Sequence, residues 1–188
     1  MNAIFETINS CRVCSSSKIS EVMSLGDQPP ANSLYKKEQD LPPSVPLRLM
    51  FCEDCSTVQL GEDVDPEYLF ANYLWITGTS DTANQYSHDF VKMALSYSSK
   101  HNKDLFVVEV ASNDGTFLQQ FQNMGCRVLG IDPASNIASI ASKKGIPTEA
   151  NFFSKEIAKT LVDSHGYADF VYARNVIPHV KEIHSVLS

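Results

Sequence analysis

The main determinant of the fold is the stretch LFVVEVASNDGTFLQQF, residues 105–121. An apolar run stops at ASNDG and restarts with helical spacing, which predicts a strand, a loop and a helix. In a parallel sheet, the loop after such a strand lies in the crevice where α/β proteins bind nucleotide-like ligands. This loop has one glycine, Gly115, whereas a dinucleotide fingerprint requires three.

The same alternation of strands and helices continues after this stretch. The strand-like segments are RVLGI, IPTEA and ADFVYA, and the helix-like segments between them are ASNIASIASKKG and SKEIAKTLVDSH. Apolar strands that alternate with helices of about 10–12 residues predict a parallel sheet with helices on both faces. The predicted fold class is therefore α/β, with a Rossmann-like sheet.

Two helices are predicted upstream of the sheet. Asp65 followed by Pro66 is typical of a helix start, and Ser80 or Asp81 is a candidate cap for the second helix. In that second helix, apolar residues recur at helical spacing and predict the buried face. These residues are Ala83, Tyr86, Phe90, Met93, Ala94 and Tyr97.

Residues 1–60 form a loop-rich segment that holds four of the five cysteines. Its proline-rich turns, and the two short strands LRLMFC and STVQL, offer too few apolar residues for a core, so the segment needs a staple. Two CxxC pairs can supply four thiolates to one tetrahedral Zn²⁺. Four thiolates leave no open position for water, which favours a structural metal. The alternative is a set of unliganded or redox-active thiols; Cys126 is expected to be a buried small residue.

The overall composition limits the partners and the compartment. The 188 residues carry a formal net charge of −7 without a basic run, so nucleic acid is not an expected partner. The start MNAIFETINSC lacks the features of a signal peptide, and no window has the roughly 18 apolar residues of a membrane span. A cytoplasmic location is expected, where paired cysteines are more often metal ligands than disulfides.

The chemistry of the loop favours a cofactor without phosphate. Glu109 and Asp114 place carboxylates where a pyrophosphate would be repelled. S-adenosylmethionine has no phosphate, and it carries a positive sulfonium and an ammonium group. Asp132 follows the second strand, where an acid can accept both ribose hydroxyls of an adenosine. Its alternative role is a helix cap, while Phe152 could be core and Asn175 a turn residue.

Eight motifs, in order, resemble the class I S-adenosylmethionine-dependent C-methyltransferases that act on nucleotide-linked 4-keto deoxysugars. They are CRVC, SLGDQPPANS, LRLMFCEDCSTVQL, YLWITGTSDT, VVEVASNDGT, LGIDPASNIA, IPTEANFF and RNVIPHV. The resemblance implies an N-terminal zinc module, a Rossmann-like methyltransferase domain and a further C-terminal domain. It implies zinc at Cys11, Cys14, Cys52 and Cys55.

The resemblance and the crevice residues together define the candidate site. The cofactor residues are Thr79, Ser80, Glu109, Ser112, Asn113, Asp114, Gly115, Asp132, Pro133, Asn151, Phe152 and Asn175. The resemblance implies methylation of the carbon beside a ketone, after a base removes a proton. Tyr73 and His179 are the candidates for substrate-facing chemistry, and packing roles are the alternative for both.

Three features depart from the family pattern. Ala111 replaces the usual glycine of the loop, and its methyl group is expected to crowd the methionine end of the cofactor. Arg174 stands where a second asparagine is common. The chain ends at Ser188 after four predicted strands, whereas the family sheet has seven, so a truncated methyltransferase domain without its main catalytic base is expected.

The predicted organisation has three parts: a zinc-binding β-hairpin module (1–62), a helical region covering the cofactor site (63–100) and half of a Rossmann-like domain (101–188). A second hypothesis is a non-catalytic zinc-stapled binding module that forms a homodimer through an open sheet edge. A third is an NAD-dependent sugar oxidoreductase, which the absent glycine fingerprint disfavours.

Overall fold

The computed structural model describes residues 4–34 and 41–188, and its backbone contacts group into two compact units. The first unit comprises Met1–Ala71 together with Val180–Leu187. The second unit is Asn72–His179, with the terminal Ser188. The predicted three-part division at residues 62 and 100 stays a prediction.

The first unit is built from two small antiparallel sheets. β1 (Phe5–Thr7) pairs with β5 (Glu62–Val64). β2 (Ile19–Gln28), β3 (Val45–Cys52) and β4 (Val58–Leu60) form a three-stranded sheet in that order. The β2–β3 hairpin is the insertion that separates the two CxxC pairs. β3 and β4 correspond to the two predicted short strands, whereas β2 was not predicted.

A segment from the far end of the sequence completes the first unit. It includes the short helix α6 (Ile183–Leu187). Lys181 Nζ lies 2.9 Å from Glu6 Oε2, and His184 Nε2 lies 2.9 Å from the carbonyl oxygen of Val13. The first unit also holds α1 (Pro66–Phe70), for which Asp65 is the cap. α1 begins where predicted, but it ends at Phe70 and is shorter than the predicted helix.

The second unit begins with the long helix α2 (Asp81–Ser96), capped by Ser80 Oγ, which accepts from Ala83 N. Its predicted buried face is partly wrong. Ser87, Val91 and Ala94 are buried, whereas Tyr86, Met93 and Tyr97 are exposed. The buried Ser87 hydroxyl donates to the carbonyl oxygen of Asn84 at 2.6 Å, so a polar residue lies on the inner face without an unmet hydrogen bond.

The four strands of the second unit form a parallel sheet, as predicted. They are β6 (Phe106–Val110), β7 (Arg127–Ile131), β8 (Thr148–Glu149) and β9 (Phe170–Ala173). Their order across the sheet is β8-β7-β6-β9, so β6 lies between β7 and β9. The connections run from β6 to β7 on one side and return to β9 on the other. This reversal is a topological switch point of the kind where α/β sheets bind ligands.

Helices cover both faces of this sheet, which confirms the predicted layered architecture. They are α2, α3 (Thr116–Asn123), α4 (Ser135–Lys143) and α5 (Lys155–His165). On one face, Val107 and Val128 pack with residues of α2, α3 and α4. On the other face, Phe106, Val108 and Leu129 pack with Leu161 of α5. Within the described residues, no helix is both long enough and apolar enough to cross a membrane.

Candidate functional site

The four paired cysteines converge on one point in the first unit. Their ligand sulfurs all lie within 4.8 Å of one another. Cys11 Sγ and Cys55 Sγ are 3.5 Å apart, and Cys14 Sγ and Cys52 Sγ are 3.6 Å apart. Four sulfurs at Zn–S of about 2.3 Å lie roughly 3.8 Å from each other in a tetrahedron. The donor set and its spacing therefore fit one Zn²⁺.

Both CxxC pairs adopt the same backbone turn. Ser15 N donates to Cys11 O and Ser56 N donates to Cys52 O, each at 2.9 Å. Ser15 and Ser56 both have φ of 61°, in the left-handed region. This repeated turn directs two sulfurs from each segment to the same side. The turn is why a two-residue spacer suits a metal ligand pair.

Neighbouring groups shift the pKa values of the clustered thiols in opposite directions. Hydrogen bonds from the hydroxyl and backbone of Thr57 lower the pKa of Cys55 to about 6. For Cys14, a hydrogen bond from the Ser16 backbone lowers the pKa, but the sulfurs of Cys55, Cys52 and Cys11 raise it to about 12 overall. Four clustered thiols cannot all ionise without a cation between them, which is the condition that a zinc ion would relieve.

Polar contacts hold the first CxxC segment in place. Gln59 is buried, accepts from Arg12 N at 2.9 Å and donates to Ser10 O at 3.1 Å. The Arg12 guanidinium donates to Asp63 Oδ1 at 2.6 Å. These bonds fix the segment carrying Cys11 against β4 and β5. They are the outer contacts that orient metal ligands.

In the second unit, the candidate cofactor residues follow the carboxyl ends of adjacent strands. The loop 111–115 follows β6, Asp132 follows β7, Asn151 follows β8, and Asn175 follows β9. Because these strands are parallel neighbours, the four segments lie along one edge of the sheet. The topology thus brings the predicted segments together at one edge.

The loop after β6 alternates through the left-handed region. Ala111, Asn113 and Gly115 have φ of 55°, 52° and 74°. Asparagine and glycine adopt this region readily, but alanine rarely does. A side chain at Gly115 would also lie 3.0 Å from Ile146, so the close approach to that side chain requires glycine. The loop is therefore tightly constrained, and Ala111 is its strained position.

Asn113 and Asp114 connect the loop to the segment that precedes α2. Asn113 Oδ1 accepts from Thr77 N at 2.8 Å, and its Nδ2 donates to Trp75 O at 3.0 Å. The Asp114 side chain is fully buried, accepts from Thr116 Oγ1 at 2.7 Å and forms an ion pair with Lys144. Its Oδ2 also accepts from Gly78 N at 3.3 Å, which ties it to that segment. The predicted contact between Asp114 and a cofactor stays a prediction.

Asp132 is a second buried carboxylate beside the loop. Its Oδ2 accepts from Asn113 N at 2.8 Å and its Oδ1 from Ala134 N at 3.0 Å. Burial raises the pKa of Asp132, although these two N–H groups oppose the shift. A carboxylate has about four acceptor positions, so two remain for hydroxyl donors. The residue serves as a backbone anchor and still has capacity for a ligand.

Ser112 carries the clearest sign of an absent ligand. Ser112 is 1% exposed, and its Oγ has no hydrogen-bond partner among the described residues. Buried hydroxyls without a partner are costly, and each such group calls for an explanation. The hydroxyl occupies the space that a side chain at Gly130 on β7 would need, because a Cβ there would collide with Ser112 Oγ.

A buried ion pair lies at the switch point between β6 and β9. Glu109 is fully buried, and its Oε1 accepts from Arg174 Nε at 3.0 Å and from Nη2 at 2.7 Å. Its Oε2 accepts from Tyr172 Oη at 3.0 Å. Burial raises the pKa of Glu109 to about 7, against the opposing effects of Arg174 and Tyr172. The Arg174 guanidinium also lies 3.1 Å above the Phe117 ring.

Several predicted residues have their side chains in local contacts or exposed. Thr79 Oγ1 donates to Ile76 O at 2.7 Å, and Ser80 caps α2. Phe152 is exposed at the end of β8, whereas Phe153 packs in the core. The remaining candidates are Pro133 and Asn151, both half-buried, and Asn175, exposed with φ of 53°.

The two candidates for substrate chemistry lie outside the loop 111–115 in the sequence. Tyr73 is half-buried, and its backbone exchanges hydrogen bonds with the Asn136 side chain at 3.2 and 2.8 Å. His179 is exposed and ends a short 3₁₀ turn, Ile177–His179, which follows β9. Their catalytic roles stay predictions.

A cavity of about 260 Å³ lies away from this edge. It is lined by the end of α2 and by Leu105, Phe121 and Phe170, near the amino ends of β6 and β9. A cavity of about 130 Å³ lies beside Gly78, Thr116 and Lys144. Neither cavity is lined by Ser112 or Asp132, so the assignment of the candidate site depends on its chemistry and topology rather than on cavity size.

Sequence reasoning missed four participants in the site. Tyr172 looked like a strand residue, Lys144 like a helix end, Gly130 like a weak strand position, and the backbone of Trp75 gave no signal. A glycine inside an apolar strand is a sign of close backbone or side-chain approach, so Gly130 could have been identified. The other three depend on contacts between distant parts of the sequence.

Two domain families match the chain. Residues 11–70 match the family described as "Putative zinc binding domain", and residues 108–188 match the family described as "Methyltransferase domain". The first match spans all four clustered cysteines and agrees with the expected zinc. The second begins within β6 and spans the loop, Asp132 and Arg174.

Similar proteins include the C-methyltransferase NovU of Streptomyces niveus, which is 32% identical over 190 residues. The match covers 100% of this chain and 45% of NovU, so the chain spans about half the length of that relative. Among solved structures, a magnesium protoporphyrin IX methyltransferase from Synechocystis PCC 6803 with bound SAM is 16% identical, with a TM-score of 0.43 over 55% of this chain and 50% of that one.

A SAM-dependent methyltransferase from Archaeoglobus fulgidus is 19% identical, with a TM-score of 0.35 over 53% of this chain and 48% of that one. Structural likenesses at TM-scores below 0.5 are too loose to support a statement about function.

Proposed function

We propose that this chain is part of an S-adenosylmethionine-dependent C-methyltransferase, and that the loop 111–115 with its neighbours holds the cofactor. The observation that carries the proposal is the alignment of the whole chain with the C-methyltransferase NovU at 32% identity. The methyltransferase-domain match over residues 108–188 agrees with it. The charges and hydrogen-bonding groups of the crevice support it independently.

The charges around the loop suit a cation. Among the described residues that contact the loop or its ends, Glu109, Asp114 and Asp132 are acidic, and Arg174 and Lys144 are basic. The group has one more acid than base, so it carries one net negative charge when all three carboxyl groups are ionised. S-adenosylmethionine carries a sulfonium, an ammonium and a carboxylate, and so one net positive charge. The match in sign favours this cofactor over NAD, whose pyrophosphate is negative.

Three side chains have free hydrogen-bonding capacity for the cofactor. Ser112 Oγ is buried and lacks a partner, Asp132 has acceptor positions left, and Asn175 is exposed at the end of β9. In this proposal Asp132 accepts the ribose hydroxyls, and Ser112 contacts the amino-acid end. Phe152 lies after β8 with its ring exposed, where an adenine could stack.

The cofactor supplies an electrophilic methyl group on its sulfonium sulfur. In the proposal, the residues of this chain would hold the cofactor at the switch point, and positioning of this kind lowers the barrier of a group transfer. Proton removal from the substrate carbon needs a general base, and an imidazole such as that of His179 is the side chain most often used for this role. The exposed position of His179 leaves it accessible to a substrate.

The finer parts of the proposal are the substrate, the zinc and the compartment. The motif resemblance supports a nucleotide-linked keto-deoxysugar as substrate. The four-cysteine cluster supports a structural zinc, because its donors leave no open coordination position. All five cysteines are free, as expected of a cytoplasmic protein, and that location stays a prediction.

The test is calorimetry of the purified chain with S-adenosylmethionine, S-adenosylhomocysteine and NAD. We expect binding of the first two and none of NAD. Ser112→Ala should weaken binding by about tenfold, because one hydrogen bond is lost, without lowering the melting temperature. Ser164→Ala is the matched control, since that exposed hydroxyl bonds only to Thr160 O of its own helix. The proposal is contradicted if the chain binds only NAD, or if Ser112→Ala binds S-adenosylmethionine as tightly as the wild type does.

A second candidate function is self-association through β9. Among the described strands, β9 pairs only with β6, and Val171 on it is 58% exposed. An unpaired strand edge can pair with a second copy. Sedimentation of the chain at several concentrations tests this candidate. A monomer at every concentration would rule it out, while leaving the cofactor proposal intact.

A further inference from the structure

Arg174 differs from Lys144, the other basic residue beside the loop, because some of its hydrogen-bond donors are unused. Lys144 is committed to Asp114. Arg174 uses Nε and Nη2 on one oxygen of Glu109, and no hydrogen bond among the described residues uses Nη1. Its side chain is 20% exposed, whereas that of Glu109 is 0% exposed. The guanidinium thus covers the buried acid and presents its remaining donors outward.

The position of Arg174 is set from three sides. It follows β9 directly, its guanidinium is hydrogen-bonded to Glu109 near the end of β6, and its plane lies above Phe117 in the first turn of α3. Such an arrangement leaves a long side chain with little freedom. A fixed guanidinium loses less entropy on binding a carboxylate than a mobile one does.

We propose that Arg174 binds the carboxylate of the amino-acid end of S-adenosylmethionine, and that its ion pair with Glu109 holds it in position. The inference rests on the proposed function. In it, the cofactor carboxylate takes up the donors that Arg174 does not use on Glu109. A guanidinium offers several donors in one plane and suits a carboxylate better than an ammonium would.

This pairing also accounts for the acid at the end of β6. An ionised carboxylate that is fully buried is costly unless charges of opposite sign surround it. Arg174 provides this charge. A neutral asparagine at position 174 would leave the buried Glu109 without it. Arg174 therefore makes recognition of the amino-acid end depend on both residues.

The experiment compares two ligands that differ in one group. Calorimetry with the purified chain measures the affinity for S-adenosylmethionine and for its decarboxylated form. We expect the wild-type chain to bind the decarboxylated form about 10- to 100-fold more weakly, the range for loss of a charged hydrogen bond. In Arg174→Met, the affinity for S-adenosylmethionine should fall by a similar factor, and the decarboxylated form should be little affected.

The controls separate binding from folding. Arg127→Met removes the other guanidinium that lies above a ring, that of Phe106, at the amino end of the sheet. It should change neither affinity. Arg174→Lys retains the charge but loses the planar fork, and it should give an intermediate loss if Arg174→Met does not fold.

The outcomes separate this inference from the proposed function. Equal affinities of the wild-type chain for the two ligands overturn the inference alone. So does an Arg174→Met variant that weakens both ligands by the same factor, because that result describes a structural role. If the wild-type chain binds neither ligand, the proposed function fails, and the inference fails with it.

Discussion

A methyl group on Gly130 would lie 2.9 Å from the Cβ of Ser112 and closer still to its hydroxyl oxygen. The two residues face each other where the loop after β6 passes the neighbouring strand β7. Glycine is therefore required at position 130 by the position of one side chain. The same contact fixes where the Ser112 hydroxyl can lie, and so links the packing of the sheet to the candidate cofactor site.

Gly130→Ala should destabilise the second unit. The added methyl group has no room between Ser112 and the Thr148 hydroxyl, which would lie 3.0 Å away. Overpacking of this kind costs about 1–3 kcal/mol. Denaturant unfolding measures the loss, and a double-mutant cycle with Ser112→Ala should recover part of it. Purely additive effects would contradict the contact.

Ala111→Gly should stabilise the protein, although most changes to glycine do the reverse. Ala111 has φ of 55°, where an L-residue with a side chain is strained by about 1–2 kcal/mol. Glycine relieves the strain but adds freedom to the unfolded chain, so the net gain should be under about 1 kcal/mol. Ala134→Gly, at φ of −75°, is the matched control and should destabilise. The melting temperatures of the two variants, compared with that of the wild type, test this prediction.

Stability should fall as the pH rises through the range set by Glu109. Its pKa is raised from an ordinary 4.5 to about 7, mainly by burial, so the folded state holds a proton that the unfolded state has lost. The contribution of Glu109 to the free energy of unfolding is fully present below about pH 4.5. It is lost as the pH rises through about 7, a change of about 3 kcal/mol.

The measurement for Glu109 is the free energy of unfolding at several pH values, in the wild type and in Glu109→Gln. The difference between the two isolates Glu109 from histidines and from the zinc ligands. A difference that does not vary with pH, or one in which wild-type stability rises over this range, would refute the assignment.

Removal of the metal should unfold the first unit selectively. β2 is almost entirely exposed, and the first unit has few buried apolar residues, so four metal–sulfur bonds would be its main constraint. We expect one zinc per chain by atomic absorption, and its loss in Cys14→Ser. Cys126→Ala is the control, because that residue lies in the sheet core and should keep the zinc. Zinc retained in Cys14→Ser would exclude the four-cysteine site.

The parts of the fold that sequence predicted are those with strong local signals. The buried strands β6 and β7 are continuous apolar runs, and Asp65 and Ser80 precede their helices as caps. The convergence of the cysteines followed from their spacing, which a tight turn translates directly into geometry. These features depend on neighbouring residues, so local chemistry is sufficient to predict them.

The features that sequence did not predict depend on distant partners. β2 alternates poorly because both its faces are exposed, and it is a strand because β3 pairs with it. The inner face of α2 includes Ser87, whose hydroxyl forms a hydrogen bond within the helix. A prediction of the buried face from apolar residues alone was therefore partly wrong. Arg174 was recognised as unusual, but its contact with Glu109 spans 65 positions in the sequence.

The assignment of Val180–Leu187 to the first unit has a consequence for the order of synthesis. The cysteines leave the ribosome early and can take up a metal at once. The contacts of Lys181 with Glu6 and of His184 with Val13 must wait until all of Asn72–His179 has been made. A newly made N-terminal segment therefore passes through a period in which it has zinc and its own strand pairs but lacks these later contacts. Scarcity of the metal would be most damaging during that interval of translation.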